Sequence, residues 1–130
     1  MGNKEEAKDY YVRALEIRLK KLGSDHVDVA PSYNNLGVVH SEMGYKEVAK
    51  DYFVRALEIR LKKLGPDHVD VAKSYNKLGV VHSDMGNQEM AKDYYARALE
   101  IRLKKLGPDY VVVATSYSDL RIVHSNTDDK

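Results

Sequence analysis

Five histidines are the residues of this 130-residue sequence that could ligate a metal or act as a general base. His40, His82 and His124 recur at a fixed spacing, and the same spacing separates His26 from His68. No two of them stand four residues apart, and no cysteine or carboxylate recurs beside them with metal-ligand spacing. We therefore predict that the histidines pack in or near the core, and that the chain binds no metal.

Other arrangements that support catalysis are also missing from the sequence. It contains no glycine-rich phosphate loop, no nucleophile with a matching base and no paired carboxylates. Catalytic residues are also hard to reconcile with a sequence that repeats itself almost unchanged. We predict no catalytic residues, no cofactor and no enzymatic activity.

The ten tyrosines could in principle stack on nucleic-acid bases. Such a surface needs a basic groove, whereas 21 Lys and Arg face 20 Asp and Glu, for a net charge of +1. Tyr33, Tyr75 and Tyr117 instead recur at the spacing of the histidines, which indicates a core position. We predict no nucleic-acid partner.

The amino-acid composition also indicates the cellular compartment of the protein. The chain has no cysteine, which fits a reducing environment such as the cytoplasm. No run approaches the roughly 18 apolar residues that span a bilayer, and the first residues lack the apolar stretch of a signal peptide. The sequence therefore predicts a cytoplasmic protein with no membrane partner.

A repeat of 42 residues organises these positions. The segment ALEIRLKKLG begins at Ala14, Ala56 and Ala98, and the register holds along the chain. We predict one array over residues 1–126, made of the repeats 1–42, 43–84 and 85–126, followed by a polar tail at 127–130.

Each copy contains two helical patterns, which we name helix A and helix B. In helix B of the second copy, apolar residues recur every three or four positions, and Gly65-Pro66 predicts an end at Leu64. Glu58 and Lys62 are spaced as an i,i+4 ion pair.

Helix A follows after a short link. Asp67 is the predicted N-cap of the second-copy helix A, which stops at Met85-Gly86. The links are short enough to require antiparallel packing, so the sequence predicts an all-α fold of stacked helix pairs.

The small and aromatic residues follow the pattern aromatic-x2-Leu-Gly-x2-aromatic, then Gly, then Ala-x3-aromatic. In the second copy it reads Tyr75-x2-Leu78-Gly79-x2-His82, Gly86, Ala91-x3-Tyr95. This resembles the tetratricopeptide repeat, and the long form is similar to the 42-residue repeats of kinesin light chains and nephrocystin-like proteins. The resemblance implies a right-handed α-solenoid of antiparallel helix pairs that acts as a protein-binding scaffold.

The resemblance also implies a concave groove lined by helix A, which binds a protein or an extended peptide. Mapped onto this sequence, its residues are Asn34, Asn35, Val38, Ser41, Lys73, Asn76, Lys77, Val80 and Ser83, with Asp119 as the equivalent of Asn35 and Lys77 in the third copy. The asparagines suit hydrogen bonding to a peptide backbone, and the lysines favour acidic side chains. The alternative is that they are ordinary polar residues on a solvated helix face.

The two ends of the repeat pattern differ. No helix A precedes the first copy, so we expect the face of Ala7, Tyr11 and Ala14 to be uncovered, either cut from a longer array or exposed to a partner. In the third copy Arg121 replaces the helix-contact glycine, and Asp109–Ser125 is predicted to be a polar capping helix at an authentic C-terminus. A homo-oligomer formed through exposed terminal helices is one expectation.

A second reading of the whole sequence is a structural module that only self-assembles, or a consensus-like sequence without a specific ligand. The predicted groove varies among copies, as at Asn35, Lys77 and Asp119, whereas the core positions hardly change. This difference favours binding over a purely structural role.

Overall fold

Runs of strong helix formers between glycine-containing links fold into α-helices. The computed structural model describes residues 2–107 and 111–128, but not the side chains of residues 2, 111, 112 and 122–128. The described helices are α1 (Gly2–Leu22), α2 (Ala30–Glu42), α3 (Lys46–Leu64), α4 (Val69–Asp84), α5 (Gln88–Leu106) and α6 (Val111–Asp128), with a 3-10 turn at Val27–Val29. Helices α1, α3 and α5 correspond to helix B, and α2, α4 and α6 to helix A. The described residues contain no strand.

The chain divides into two compact units, residues 1–63 and 64–130. In the first unit, Val29, Ala30 and Tyr33 pack with Ala56 and Ile59 in one buried cluster. Partly buried Leu15, Leu19 and Tyr52 complete this cluster. In the second unit, Ala91 and Tyr95 of α5 form a buried pair against which Leu120 of α6 packs.

A glycine of helix A contacts an aromatic ring of helix B in both units. A Cβ atom on Gly37 would lie 2.5 Å from Cε1 of Phe53, and a Cβ on Gly79 would lie 2.7 Å from Cδ1 of Tyr95. Both rings are buried, at 3% and 6% exposure. Glycine is therefore required at these positions because the ring occupies the space of a side chain, as the sequence predicted.

The predicted ends of the helices are confirmed. Helix α3 ends at Leu64, where Gly65 has a φ of +89° that favours glycine. Helix α4 ends at Asp84, next to the predicted stop at Met85-Gly86.

The predicted N-cap of α4 is wrong by one residue. His68, not Asp67, takes the extended N-cap conformation, and its Nδ1 accepts a hydrogen bond from the backbone N–H of Asp70 at 3.0 Å. In the first unit, Nδ1 of His26 accepts from the N–H of Asp28 at 3.1 Å. An imidazole acceptor thus does the work usually done by a carboxylate or hydroxyl.

Asp67 has a different contact, because its carboxylate accepts a hydrogen bond from Nζ of Lys104 at 2.9 Å. Asp25 likewise accepts from Nζ of Lys62 at 2.8 Å, so Lys62 is paired across the first unit rather than with Glu58 as predicted. The lysine lowers the pKa of each aspartate, first through the hydrogen bond and then through its charge. Each pair links the turn after one helix B to the last turns of the next helix B.

The predicted exposure of α1 needs a correction. Ala7, Tyr11 and Ala14 are half-buried. The residues of α1 that are most clearly exposed are Tyr10, at 68%, and Ile17, at 59%. Of the segment predicted as a capping helix, residues from Val111 onward are helical as α6, whereas Asp109 lies outside the described residues.

Replacing Gly79 by alanine tests the helix contact. We expect the free energy of unfolding to fall by about 1–2 kcal/mol, because overpacking against Tyr95 outweighs the gain of about 1 kcal/mol in helix propensity. Urea denaturation followed by circular dichroism measures this change. Val80→Ala, at the next and exposed position, is the control and should change stability by less than about 0.5 kcal/mol. An increase in stability for Gly79→Ala would contradict the contact.

Replacing Lys104 by methionine tests the link to Asp67. Because the folded pKa of Asp67 is lowered, the pair stabilises the fold above the unfolded pKa of about 3.9, and this contribution is lost as the pH falls through the folded pKa. We expect Lys104→Met to raise the pKa of Asp67 in a ¹³C-carboxyl NMR titration. Lys105→Met should raise it less, since Lys105 acts only through its charge. Equal shifts in the two variants would contradict the pairing.

Candidate peptide-binding surface

Four of the predicted groove residues lie on α2 in the first unit. Asn34, Val38 and Ser41 are spaced by four and three residues, so they form one stripe, with Asn35 at its side. All four are half-buried. We name these residues the α2 stripe. It runs beside the buried positions that pack α2 against α3, which fixes its orientation within the unit.

The other five lie on α4 in the second unit and form the α4 stripe. Its exposed members are Lys73 and Val80, the latter at 41% exposure, while Asn76, Lys77 and Ser83 are half-buried. Nζ of Lys73 lies 3.6 Å from Oδ1 of Asp70, one turn earlier on the same helix. An exposed pair of this kind is weak, so the ammonium group is readily available to a ligand.

Ser83 is less available than the sequence suggested. Its Oγ donates a hydrogen bond to Oε1 of Gln88 at 3.4 Å, and Nε2 of Gln88 donates to the carbonyl oxygen of Ser83 at 3.4 Å. These contacts connect the end of α4 to the start of α5. The serine therefore contributes to the turn between the two helices as well as to the stripe.

The amides of Asn34 and Asn76 have an unusual environment. The Oδ1 atom of each is buried and, among the described residues, has no hydrogen-bond partner. A buried acceptor without a partner costs about 1–3 kcal/mol, so such atoms are rare in folded proteins. Because each Oδ1 is buried, any contact of these amides with a bound molecule would have to be made through the NH2 group.

The equivalent position of the third repeat lies close to a charged residue of the preceding helix. Asp119 of α6 is half-buried, and burial raises the pKa of its carboxyl, an effect that Arg102 of α5 opposes. Burial also lowers the pKa of Arg102, and Nη1 of Arg102 donates to Oγ of Ser116 at 2.8 Å. Burial, with a smaller contribution from the charge of Asp119, raises the pKa of Tyr95 to about 12. Asp119 is thus half-buried, as Asn35 and Lys77 are, and differs from them in its electrostatic interaction with α5.

The arginine–serine pairs were missed in the sequence. Arg102 bonds Ser116, and Arg18 bonds Ser32 in the first unit, each across 14 residues. The signal that could have revealed them is that both residue types recur at the repeat spacing, with the serines fully buried. Each pair satisfies a buried hydroxyl where helix B meets the following helix A.

Aromatic rings stack between helices A and B. Tyr33 is buried as predicted and Tyr75 is half-buried, whereas the predicted core position of Tyr117 is wrong, because this side chain is 52% exposed. In the first unit, Tyr52 lies 6.1 Å from Tyr33 and 5.3 Å from His40, measured between ring centroids. The guanidinium of Arg55 lies 5.6 Å above the Tyr33 ring. The second unit repeats this arrangement with Tyr75, Tyr94, His82 and Arg97.

The structure also bears on metal binding and on membrane insertion. Among residues 2–107 and 111–128, no three His, Cys, Asp or Glu side chains come together in a way that could hold a metal ion. Within the same residues, no helix combines the length and apolar character needed to cross a bilayer.

These features define a class of protein, one built from helix pairs that pack through glycine and aromatic residues. Comparison with known protein families identifies the particular family. A family model described as tetratricopeptide repeat matches residues 1–62 and 47–104, and the chain belongs to this family. A search of the curated proteins gave no match.

Solved structures agree with this assignment. BtubC (BKLC) from P. vanneervenii is 27% identical over 98% of this chain, with a TM-score of 0.90. A putative kinesin light chain from Podosopora anserina with nearly identical TPR-like repeats is 20% identical over 95% of this chain, with a TM-score of 0.86. The chain spans 51% and 58% of these two proteins. The predicted all-α, tetratricopeptide-like repeat fold of kinesin light chain type is confirmed.

Replacing Asn76 by alanine tests whether its amide contributes to stability. We expect the free energy of unfolding to stay the same or to rise by about 0.5–1 kcal/mol, because the change removes an acceptor without a partner and introduces a better helix former. Thermal and urea denaturation measure this change. Asn87→Ala is the contrasting variant, since its Nδ2 lies 3.4 Å from Nδ1 of His82 and its loss should destabilise. A destabilised Asn76→Ala variant would mean that the amide has a structural partner.

Proposed function

We propose that the chain is a non-catalytic scaffold that binds extended segments of other proteins through the α2 and α4 stripes. Tetratricopeptide repeats are generally protein-interaction scaffolds, which supports the class of function. The observation that supports the site is the recurrence on α2 and α4 of a half-buried asparagine whose Oδ1 is turned away from solvent. The same amide has the same environment in the first two copies, whereas the third copy has Ser118 at this position.

The stripes differ in charge, which indicates what each would bind. The α2 stripe is neutral, with two amides, one hydroxyl and one valine, whereas the α4 stripe adds Lys73 and Lys77. Each asparagine NH2 would donate to a backbone carbonyl of the ligand. The lysines would attract acidic side chains, and exposed Val80 would contact a small apolar one. The ligand class is therefore an extended acidic peptide with small apolar residues.

Several related statements belong to the same proposal. The three repeats at 1–42, 43–84 and 85–126 act as one array, with the residues after 126 as a polar tail. The chain acts without a cofactor or nucleic acid. The absence of cysteine supports a cytoplasmic location.

Self-assembly is the second candidate function. The observation that favours it is the exposure of Tyr10 and Ile17, two apolar residues on one face of α1. A homo-oligomer would cover this face. Sedimentation velocity over a concentration series tests the candidate, and a monomer at high micromolar concentration would exclude it.

The double variant Asn34→Ala with Asn76→Ala tests peptide binding. Fluorescence anisotropy with a panel of labelled acidic decapeptides measures the affinity of the wild type and the variant. Losing one hydrogen bond of about 1 kcal/mol in each stripe should weaken binding of the best peptide to either stripe about five-fold. Asn3→Ala, an exposed position on α1, is the matched control and should bind as the wild type does.

Stability measurements make the result interpretable. The double variant should be at least as stable as the wild type, so weaker binding would not reflect unfolding. Lys73→Ala should weaken binding and reduce its salt dependence. If no acidic peptide binds, or if the double variant binds as tightly as the wild type, the proposed site is wrong.

A further inference from the structure

Two histidines cap the turns that lead into helix A through an uncharged ring nitrogen. Nδ1 of His68 accepts a hydrogen bond from the backbone N–H of Asp70 at 3.0 Å, and Nδ1 of His26 accepts from the N–H of Asp28 at 3.1 Å. A ring nitrogen that accepts carries no hydrogen, so both imidazoles are neutral and their hydrogen lies on Nε2. We name the pairs His26–Asp28 and His68–Asp70 the histidine caps.

The caps hold turns that continue directly into the core. Val29 and Ala30 follow the first cap, Val71 and Ala72 follow the second, and all four residues are fully buried. In the second unit the capped turn begins α4 itself, whereas in the first unit it is the 3-10 turn before α2. Loss of a cap therefore acts on a turn that positions buried residues.

Each ring also lies next to the carboxylate of the residue whose N–H it receives. Nδ1 of His68 is 3.9 Å from Oδ2 of Asp70, and Nδ1 of His26 is 3.9 Å from Oδ2 of Asp28. The histidine side chains are 39% and 41% exposed, so solvent protons reach them. A carboxylate at this distance favours the charged form of the ring. The same nitrogen therefore has one partner when it is neutral and another when it is protonated.

The third copy of the sequence lacks both members of the pair. Tyr110 stands at the position of the two histidines, and Val112 stands at the position of the two aspartates. A backbone N–H is present whatever the side chain, so capping alone does not require an aspartate at the second position. The joint absence of histidine and aspartate indicates that the two residues act together.

We propose that the histidine caps form a pH-sensitive device that loosens the start of helix A when the rings are protonated. Protonation places a hydrogen on Nδ1, which can then no longer accept from the backbone N–H. The charged ring pairs with the carboxylate of Asp28 or Asp70, and the N–H loses its partner. Imidazole changes its charge between about pH 8 and pH 5, so the device works in that range. It acts on the fold and does not depend on what the α2 and α4 stripes bind.

The charged groups around the second cap are compatible with this change. Nζ of Lys73 lies 3.6 Å from Oδ1 of Asp70, whereas His68 faces the other oxygen of the same carboxylate. Asp67 and Lys105 line one cleft with His68. The carboxylate of Asp67 is already held by the lysine pair described above. Asp70 is therefore the carboxylate that receives the protonated ring.

The first cap has matching neighbours. Asp25 directly precedes His26 and accepts a hydrogen bond from Nζ of Lys62, and the charge of Lys63 also acts on it. This carboxylate is thus engaged with α3, as Asp67 is engaged with α5 in the second unit. Asp28 remains as the carboxylate next to the ring of His26.

NMR spectroscopy of the intact ¹⁵N-labelled chain tests the proposal at the hydrogen bond itself. At about pH 8 we expect the Nε2–H tautomer of both rings and a scalar coupling between each Nδ1 and the backbone nitrogen of Asp28 or Asp70. At about pH 5 the rings should be protonated and both couplings should be absent. In Asp70→Asn, which removes the carboxylate that stabilises the charged ring, the coupling at His68 should persist to lower pH. The coupling at His26 in the same sample is the control and should be lost as in the wild type.

Urea denaturation measures what the caps contribute to stability. Because the bond requires a neutral ring, it stabilises the fold at about pH 8 and is lost as the pH falls. In the variant His26→Asn with His68→Asn, an amide oxygen that does not titrate takes over the cap. Between about pH 8 and pH 5, the unfolding equilibrium constant of the wild type should rise about ten-fold more than that of the variant, because two caps are lost and two exposed ion pairs are gained. His40, His82 and His124 are present in both proteins, so their titration does not affect the difference.

Any of three results overturns the proposal. The rings could be the Nδ1–H tautomer at about pH 8, which would leave no acceptor for the backbone N–H. The amide signals of Asp28 and Asp70 could stay unchanged while the rings are protonated, which would mean that no bond is broken. The wild type and the asparagine variant could lose stability equally on acidification, which would assign the pH dependence to the other three histidines.

Discussion

The close contact between a glycine of helix A and an aromatic ring of helix B controls how each helix pair packs. The ring of Phe53 lies where a side chain on Gly37 would be, and Tyr95 occupies the same place above Gly79. With the ring in that space, the alanines Ala49 and Ala91 of helix B are fully buried. A larger residue at the glycine would separate the helices and expose those alanines together with the ring. The residue type at this position of helix A therefore decides how closely a helix B can approach it.

Much of the fold could be predicted from the sequence because the features that set it are local or recur with the repeat. Helix ends follow from glycine and proline, and helix faces follow from the spacing of apolar residues. The polar contacts were harder to predict. Lys62 pairs with Asp25 and Lys104 with Asp67, each across 37 residues, and such pairs depend on how the helices cross. Once Asp67 is held by Lys104, His68 becomes the cap, a role that imidazole rarely takes.

The helix faces that form the candidate site could be predicted from the sequence, but the burial of their side-chain atoms could not. The helical period places Asn34, Val38 and Ser41 on one stripe whatever packs nearby. The burial of Oδ1 in Asn34 and Asn76 depends on side chains of neighbouring turns, which no spacing reveals. The third copy is a second example. Asp119 aligns with groove positions of the other copies, but its interaction with Arg102 of α5 could not be predicted from the spacing. A family alignment assigns residues to a face, and packing decides which of them a ligand can reach.

Comparing α1 with α3 and α5 shows that the same residue type can be exposed in one copy and buried in another. In the identical segment ALEIRLKKL, Ile59 of α3 and Ile101 of α5 are buried, whereas the equivalent Ile17 of α1 is 59% exposed, so burial of this position depends on the neighbouring helices. A helix face that only contacts water gains nothing from tyrosine and isoleucine, and exposed apolar residues favour aggregation. Helix α1 keeps the apolar and aromatic residue types of α3 and α5, so the sequence of this helix does not by itself decide which of its residues are buried.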